Sequence, residues 1–194
     1  LRSVFDVVSR DYRDYNLRAA AALSRMKQIP DVLLQAERNE EHAYTEVVDQ
    51  MMSACRNPVA DAQQLWRRLA FNHLITNVDD HLQNIGFLYD GDGFWRIAPA
   101  FDLNPFPDKD RESKTWLSED TGPLNSVEQL LSRAQFFRLD NLQAREVLGE
   151  VAAAVGRWRQ VAGGPDVGMT ASEMDEFELA FEHEELAKAK RLAT

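Results

Sequence analysis

Residues 78–89 read V-D-D-H-L-Q-N-I-G-F-L-Y, and residues 98–103 read A-P-A-F-D-L. Between the two, Ile85, Phe87 and Tyr89 alternate with Gly86 and Leu88, D-G-D-G at 90–93 supplies a turn, and F-W-R-I-A runs back. That order predicts a β-hairpin, so the intervening chain need not separate Asn84 from Asp102 in space. Upstream, Leu65, Leu69 and Leu74 share one side of a helix expected over Asp61 to Asn77, which delivers the chain into residues 78–84 at its C-terminal end.

Three polar residues flank the hairpin: Asp79, five positions before Asn84, and Asp102 beyond it. An Asp five residues before a metal-binding Asn, with a later Asp completing Mg²⁺ coordination, is the arrangement of a phosphoryl-transfer site. The chemistry suits the residue types. A carboxylate beside an acceptor hydroxyl orients it and takes its proton, a role for Asp79. Mg²⁺ prefers hard oxygen ligands and keeps several waters, so the Asn84 amide and the Asp102 carboxylate, with nucleotide phosphates, make a workable set. Taken singly, an Asp or Asn at a helix end is commonly a cap or turn residue; the ordered combination carries the reading. Asp80, four residues before Asn84, breaks the spacing as a base and reads as a solvated or capping neighbour. His81 sits two residues after Asp79, where protein kinases commonly carry a phosphate-contacting Lys. It either assists there as a charged or hydrogen-bonding imidazole or ties the loop together.

The run from Leu65 to Pro105 resembles the C-terminal domain of the HipA family, bacterial serine/threonine kinases of which many are toxins of type II toxin–antitoxin pairs. The likeness is dense over these residues, continues more loosely after Ser126 through V-G-R-W-R-Q-V-A at 155–162, and is weak upstream of Ala60. The string D-x-H-x-x-N is also similar to the catalytic loop of phosphoinositide kinases. The resemblance implies Asp79 and His81 as catalytic-loop residues, with Asp79 the base, Asn84 and Asp102 as ligands of Mg²⁺ and ATP, a protein as phosphate acceptor, and an antitoxin-like DNA-binding regulator as partner. It also implies a mainly α, α+β fold, the helical lobe of a kinase with one catalytic hairpin. A phosphate-covering glycine-rich loop and its Lys are not evident: all nine glycines fall at Gly86 or later, and Lys27 is the sole Lys before the loop. Residues 1–194 are therefore expected to form one C-terminal lobe of a longer protein whose nucleotide lobe lies upstream.

Composition agrees with a single packed unit. The chain has 194 residues, 44% of them hydrophobic, enough for a core. No run of about 18 apolar residues and no signal-peptide layout is present. The lone cysteine, Cys55, has no disulfide or zinc partner, which favours a reducing cytoplasm. A net charge of −10 argues against direct nucleic-acid binding.

Helices are expected on either side of the hairpin. Phe5, Val8, Tyr12, Tyr15, Ala19, Leu23 and Met26 recur at helical spacing over Ser3 to Ile29, until Pro30. A second helical region runs from Asp31 to Ala54 and carries the acidic, solvated stretch around His42. His73 reads as a packed histidine. The proline- and charge-rich residues 104–114 form a loop in the place of an activation segment, and K-T-W-L-S-E-D reads as a short strand. Ser126 opens a capping box, Asp140 to Ala162 reads as one helix ended by Gly163-Gly164-Pro165, and a final helix begins near Ser172.

Two other functional classes fit the same residues. One is a non-catalytic protein-interaction module, in which the acidic loop is vestigial. The other is a metal-dependent hydrolase built on Asp79, Asp80, His81 and Asp102, which would ordinarily draw on more histidines than this chain offers in partnered motifs.

Overall fold

The computed structural model describes residues 43–107 and 113–193. The helix expected over Ser3 to Ile29, the region from Asp31 to His42, and His42 itself lie outside them. Within the described residues the chain is mainly helical with two small antiparallel sheets.

Helix α1 (Tyr44–Ala54) buries Tyr44, Val47, Val48 and Met51, the i, i+3, i+4, i+7 stripe of an amphipathic helix. The Ala43 N–H donates to the Glu46 carboxylate at 3.1 Å, the half of a capping box that an alanine cap still permits. Helix α2 (Pro58–Leu74) starts on a proline, whose missing N–H costs nothing in the first turn. It is the central element: Leu65, Trp66, Leu69, Ala70 and Leu74 are each at most 1% exposed. The Trp66 indole N–H donates to the Leu130 carbonyl at 3.3 Å, satisfying the one polar atom of a fully buried ring. The helix begins at Pro58, earlier than the expected Asp61, and it ends before the expected Asn77 because Thr76 takes a left-handed backbone (φ 55°) and turns the chain into the loop.

Strands β1 (Phe87–Gly91) and β2 (Phe94–Ile97) form the expected hairpin, with Phe87 opposite Ile97 and Tyr89 opposite Trp95, and a bulge between Tyr89 and Gly91. Gly91, Asp92 and Gly93 all adopt positive φ, the conformation that D-G-D-G supplies. Burial does not alternate along β1. Phe87 and Leu88 are both buried and Tyr89 is half exposed, since this short hairpin is packed near its base and exposed towards its tip. Arg56 fastens the tip, its Nε donating to Asp90 Oδ2 at 3.0 Å and its Nη2 to Asp92 Oδ2 at 3.0 Å.

The short strand expected near Trp116 is β3 (Trp116–Ser118), and it has a partner that the sequence reading did not anticipate, β4 (Gly122–Pro123). Helix α3 (Val127–Ser132) is capped by Ser126, whose hydroxyl accepts the Gln129 N–H at 3.3 Å. The helix expected from Asp140 to Ala162 is two: α4 (Asn141–Val155) and α5 (Trp158–Ala162), broken at Gly156 and Arg157. Glycine stabilises a helix interior poorly, and here Lys190 Nζ lies 2.8 Å from where a Cβ would stand. The final helix likewise divides into α6 (Ala171–Glu176), α7 (Glu178–Phe181) and α8 (Glu184–Leu192). His183 starts α8 by accepting the Leu186 N–H on Nδ1 at 3.3 Å, while its Nε2 lies 3.1 Å from the Leu74 carbonyl at the end of α2. A carbonyl only accepts, so Nε2 carries the proton.

Candidate functional site

The end of α2 sets the loop's direction. A β-branched residue is unfavourable in the left-handed region, and Thr76 is held there by its hydroxyl, which donates to the Ala180 carbonyl at 3.0 Å, and by near-complete burial. Asn77 then closes back on the helix, its N–H donating to the Asn72 carbonyl at 2.8 Å. From there residues 79–84 fold on themselves. A single 3₁₀ turn spans Leu82–Asn84, and the Asn84 N–H donates to the His81 carbonyl at 2.9 Å. The Asn84 side-chain amide donates to the Asp79 carbonyl at 2.9 Å. Because a carbonyl accepts only, the amide nitrogen must face Asp79, and Oδ1 faces away, open to another partner.

Asp79 and Asp80 point opposite ways. The Asp79 carboxylate is partly exposed; Lys114 Nζ lies 2.5 Å from Oδ1, and His81 Nε2 lies 3.7 Å from the same oxygen. The hydrogen bond from Lys114 holds the Asp79 carboxyl below the usual carboxylate range, with the charges of Lys114 and His81 acting in the same sense.

Asp80 is 4% exposed, which corrects the expectation of a solvated or capping neighbour. Its Oδ2 accepts from the Tyr44 phenol at 2.9 Å and the Ser113 hydroxyl at 2.5 Å, and its Oδ1 from the Lys114 N–H at 2.9 Å. The Asp80 carbonyl accepts from Tyr44 as well, and from the Thr115 hydroxyl at 3.0 Å. Burial pushes its carboxyl upward against the pull of these donors, and burial together with Asp80 raises the Tyr44 phenol well above its ordinary value. The side chain is a cross-link between α1, the loop and residues 113–115. No spacing rule marks it, since its partners lie more than 30 positions away.

Asp102 sits beyond the hairpin with a left-handed backbone (φ 54°), which Asp tolerates better than most residues, and accepts the Asn104 side-chain amide at 2.9 Å. The segment carrying it returns beside the loop. Ala98 N–H donates to the Gly86 carbonyl at 2.8 Å, and the Phe101 ring covers Gly86 so closely that a Cβ there would stand 3.0 Å from it. Asn84, Ile85, Ala100 and Leu103 line one small cleft together with His81 and Arg68. Asp79, His81 and Asn84 are thus joined by direct contacts; His81 and Asn84 line the cleft, Asp79 does not, and Asp102 lies between its lining residues Ala100 and Leu103.

Among the described residues the other two histidines, His73 and His183, are structural, as the packed reading of His73 expects. Its Nε2 faces the Glu185 carboxylate at 3.3 Å in the core, and His183 caps α8. Among the described residues no group of three or more His, Cys, Asp or Glu side chains could hold a metal ion. With Asp80 engaged inside the protein, the donor set of the hydrolase reading is not assembled. Lys114 is a neighbour of Asp79 that sequence reasoning missed, because it arrives from K-T-W-L-S-E-D, read only as a strand.

A family model described as the HipA-like C-terminal domain matches residues 6–158. The match reaches far upstream of Ala60, where the sequence reading found little likeness. A protein of Haemophilus influenzae bearing the name "Putative kinase" is 27% identical over 74 residues, a stretch covering 36% of this chain. The chain spans 22% of the length of that curated relative.

Proposed function

The chain belongs to the HipA-like C-terminal domain family, and from that premise we propose that it is the catalytic lobe of a protein kinase. In the intact protein it transfers the γ-phosphate of ATP to a Ser or Thr of a protein target, acting in the cytoplasm as the toxin of a pair whose antitoxin-like partner binds DNA. The bond from the Asn84 amide to the Asp79 carbonyl carries this reading, because it fixes the base and the first metal ligand in one rigid turn.

The residues fit a magnesium ion. Asn84 Oδ1 faces away from the bond that its nitrogen makes, and the exposed Asp102 carboxylate uses one oxygen on Asn104. These are two hard oxygen donors on segments bordering one cleft, leaving the remaining positions to phosphates and water. When bound there, Mg²⁺ neutralises charge on the nucleotide phosphates. Asp79 orients the acceptor hydroxyl and takes its proton as the oxygen attacks the γ-phosphorus. The bond to the β-bridging oxygen breaks, and ADP leaves with that electron pair. A carboxyl held below its usual range is ionised at neutral pH, as a base must be.

The test uses the intact protein and [γ-³²P]ATP, with transfer to protein followed at saturating nucleotide. Asp79→Asn lowers turnover by roughly 10³-fold and leaves Mg²⁺-ATP affinity within about threefold. Asp102→Ala weakens nucleotide binding itself. Small and equal effects from both substitutions would overturn the assignment.

A further inference from the structure

The contact between Lys114 and Asp79 has a stronger reading than a surface ion pair. Exposed pairs of this kind contribute little to stability, and the Lys114 side chain is 59% exposed. Its backbone, by contrast, is held with unusual care. The buried Asp80 carboxylate takes the Lys114 N–H at 2.9 Å and the Ser113 hydroxyl at 2.5 Å, and the Asp80 carbonyl takes the Thr115 hydroxyl at 3.0 Å. A carboxylate next in sequence to the base thus aligns three consecutive residues so that the middle one reaches that base. An ammonium carries three donors and no acceptor; one is used on Asp79, which leaves two for a further acceptor on a side chain that is largely exposed.

His81 does not supply that cation in a fixed place. Its Nε2 stands 3.7 Å from Asp79 Oδ1, beyond hydrogen-bond length, and its Nδ1 is buried with no hydrogen-bond partner among the described residues.

We propose that Lys114 is a catalytic residue of this site, its ammonium bridging the Asp79 carboxylate and an oxygen of the γ-phosphoryl group in transit. The proposal rests on the kinase reading of Asp79. As the acceptor oxygen bonds to the γ-phosphorus and the bond to the β-bridging oxygen breaks, the hydroxyl proton passes to Asp79. Lys114 keeps its own protons throughout and lowers the barrier by donating to the equatorial oxygen, where the charge is spread. Asp80 is a positioning residue acting through Lys114.

The decisive experiment measures γ-phosphate release from Mg²⁺-ATP and affinity for ADP with aluminium fluoride, a mimic of the phosphoryl in transit, in the intact protein. Lys114→Met lowers kcat by roughly 10²-fold or more with ATP affinity within about threefold, and Lys114→Arg restores most of the loss. In an Asp79→Asn background, Lys114→Met still weakens binding of the mimic by about tenfold, because the contact is with the phosphoryl group itself. If Lys114→Met leaves kcat unchanged, or weakens the mimic only while Asp79 is present, the assignment fails although the kinase reading stands. A wild-type protein that transfers no γ-phosphate, and in which Asp79→Asn changes nothing, removes both.

Discussion

The Tyr44 phenol and the Asp80 carboxylate, 36 positions apart, meet at 2.9 Å, and the same phenol also donates to the Asp80 carbonyl. Tyr44 is 1% exposed and Asp80 4%, so neither group can exchange this partner for water. Removing the phenol oxygen with Tyr44→Phe is expected to cost about 1–2 kcal/mol. Asp80→Ala, which takes the acceptor of the Lys114 N–H and one of two acceptors from each of the Tyr44 and Ser113 hydroxyls, should cost about 3 kcal/mol. Urea denaturation of the two variants checks this; equal and negligible losses would contradict it.

Glu185 sets an acid limit on the fold. Burial alone would raise its carboxyl, but hydrogen bonds from His73, Lys188 and the Val127 N–H outweigh that and hold it at about 2. A depressed carboxyl favours the folded state above its unfolded value of about 4.3. That stability is lost as pH falls from there through about 2. In acid titrations of unfolding free energy, Glu185→Gln is expected to flatten the slope in this window; an unchanged slope would exclude the role.

Gly86 couples packing to the site. A Cβ there meets Phe101 Cε1 at 3.0 Å and Ala98 Cβ at 3.2 Å. Gly86→Ala is therefore expected to displace the segment bearing Asp102 and cost about 1 kcal/mol. Phe101→Leu in the same chain should recover most of it, since the ring is the nearest obstacle and is partly exposed. A double-mutant cycle by thermal denaturation measures the recovery, and strict additivity would refute the contact.

The Cys55 thiol is 4% exposed and pushed up to about 12 by burial, with the Asp61 charge adding to it. Alkylation by iodoacetamide at pH 8 should be slow in the native protein and fast in urea, because the thiolate is the reactive form. Mass spectrometry of both states gives the answer, and rapid native labelling would disprove the burial argument.

The hairpin, the central helix and the order Asp79, Asn84, Asp102 were legible because each is written locally: turn glycines, a leucine stripe, a fixed spacing. The contacts of Asp80 and Lys114 were not, because they join residues 36, 33, 34 and 35 positions apart. Two adjacent aspartates look alike in a string, and only the fold turns one inward. The long C-terminal helices were misread for a different reason. Periodicity continues across Gly156 and His183, whereas α4 ends at Gly156, a weak helix former, and His183 caps the start of α8.

The inward and outward turn of Asp80 and Asp79 bears on how damaging alleles would sort themselves. Both positions would surface in a loss-of-function screen, yet with opposite phenotypes. Changes at 79 should yield abundant, inert protein at every growth temperature. Changes at 80 should yield temperature-sensitive alleles whose protein level falls with their activity and returns on cooling, so that an immunoblot alone would separate the residue proposed as the base from the residue that holds the fold.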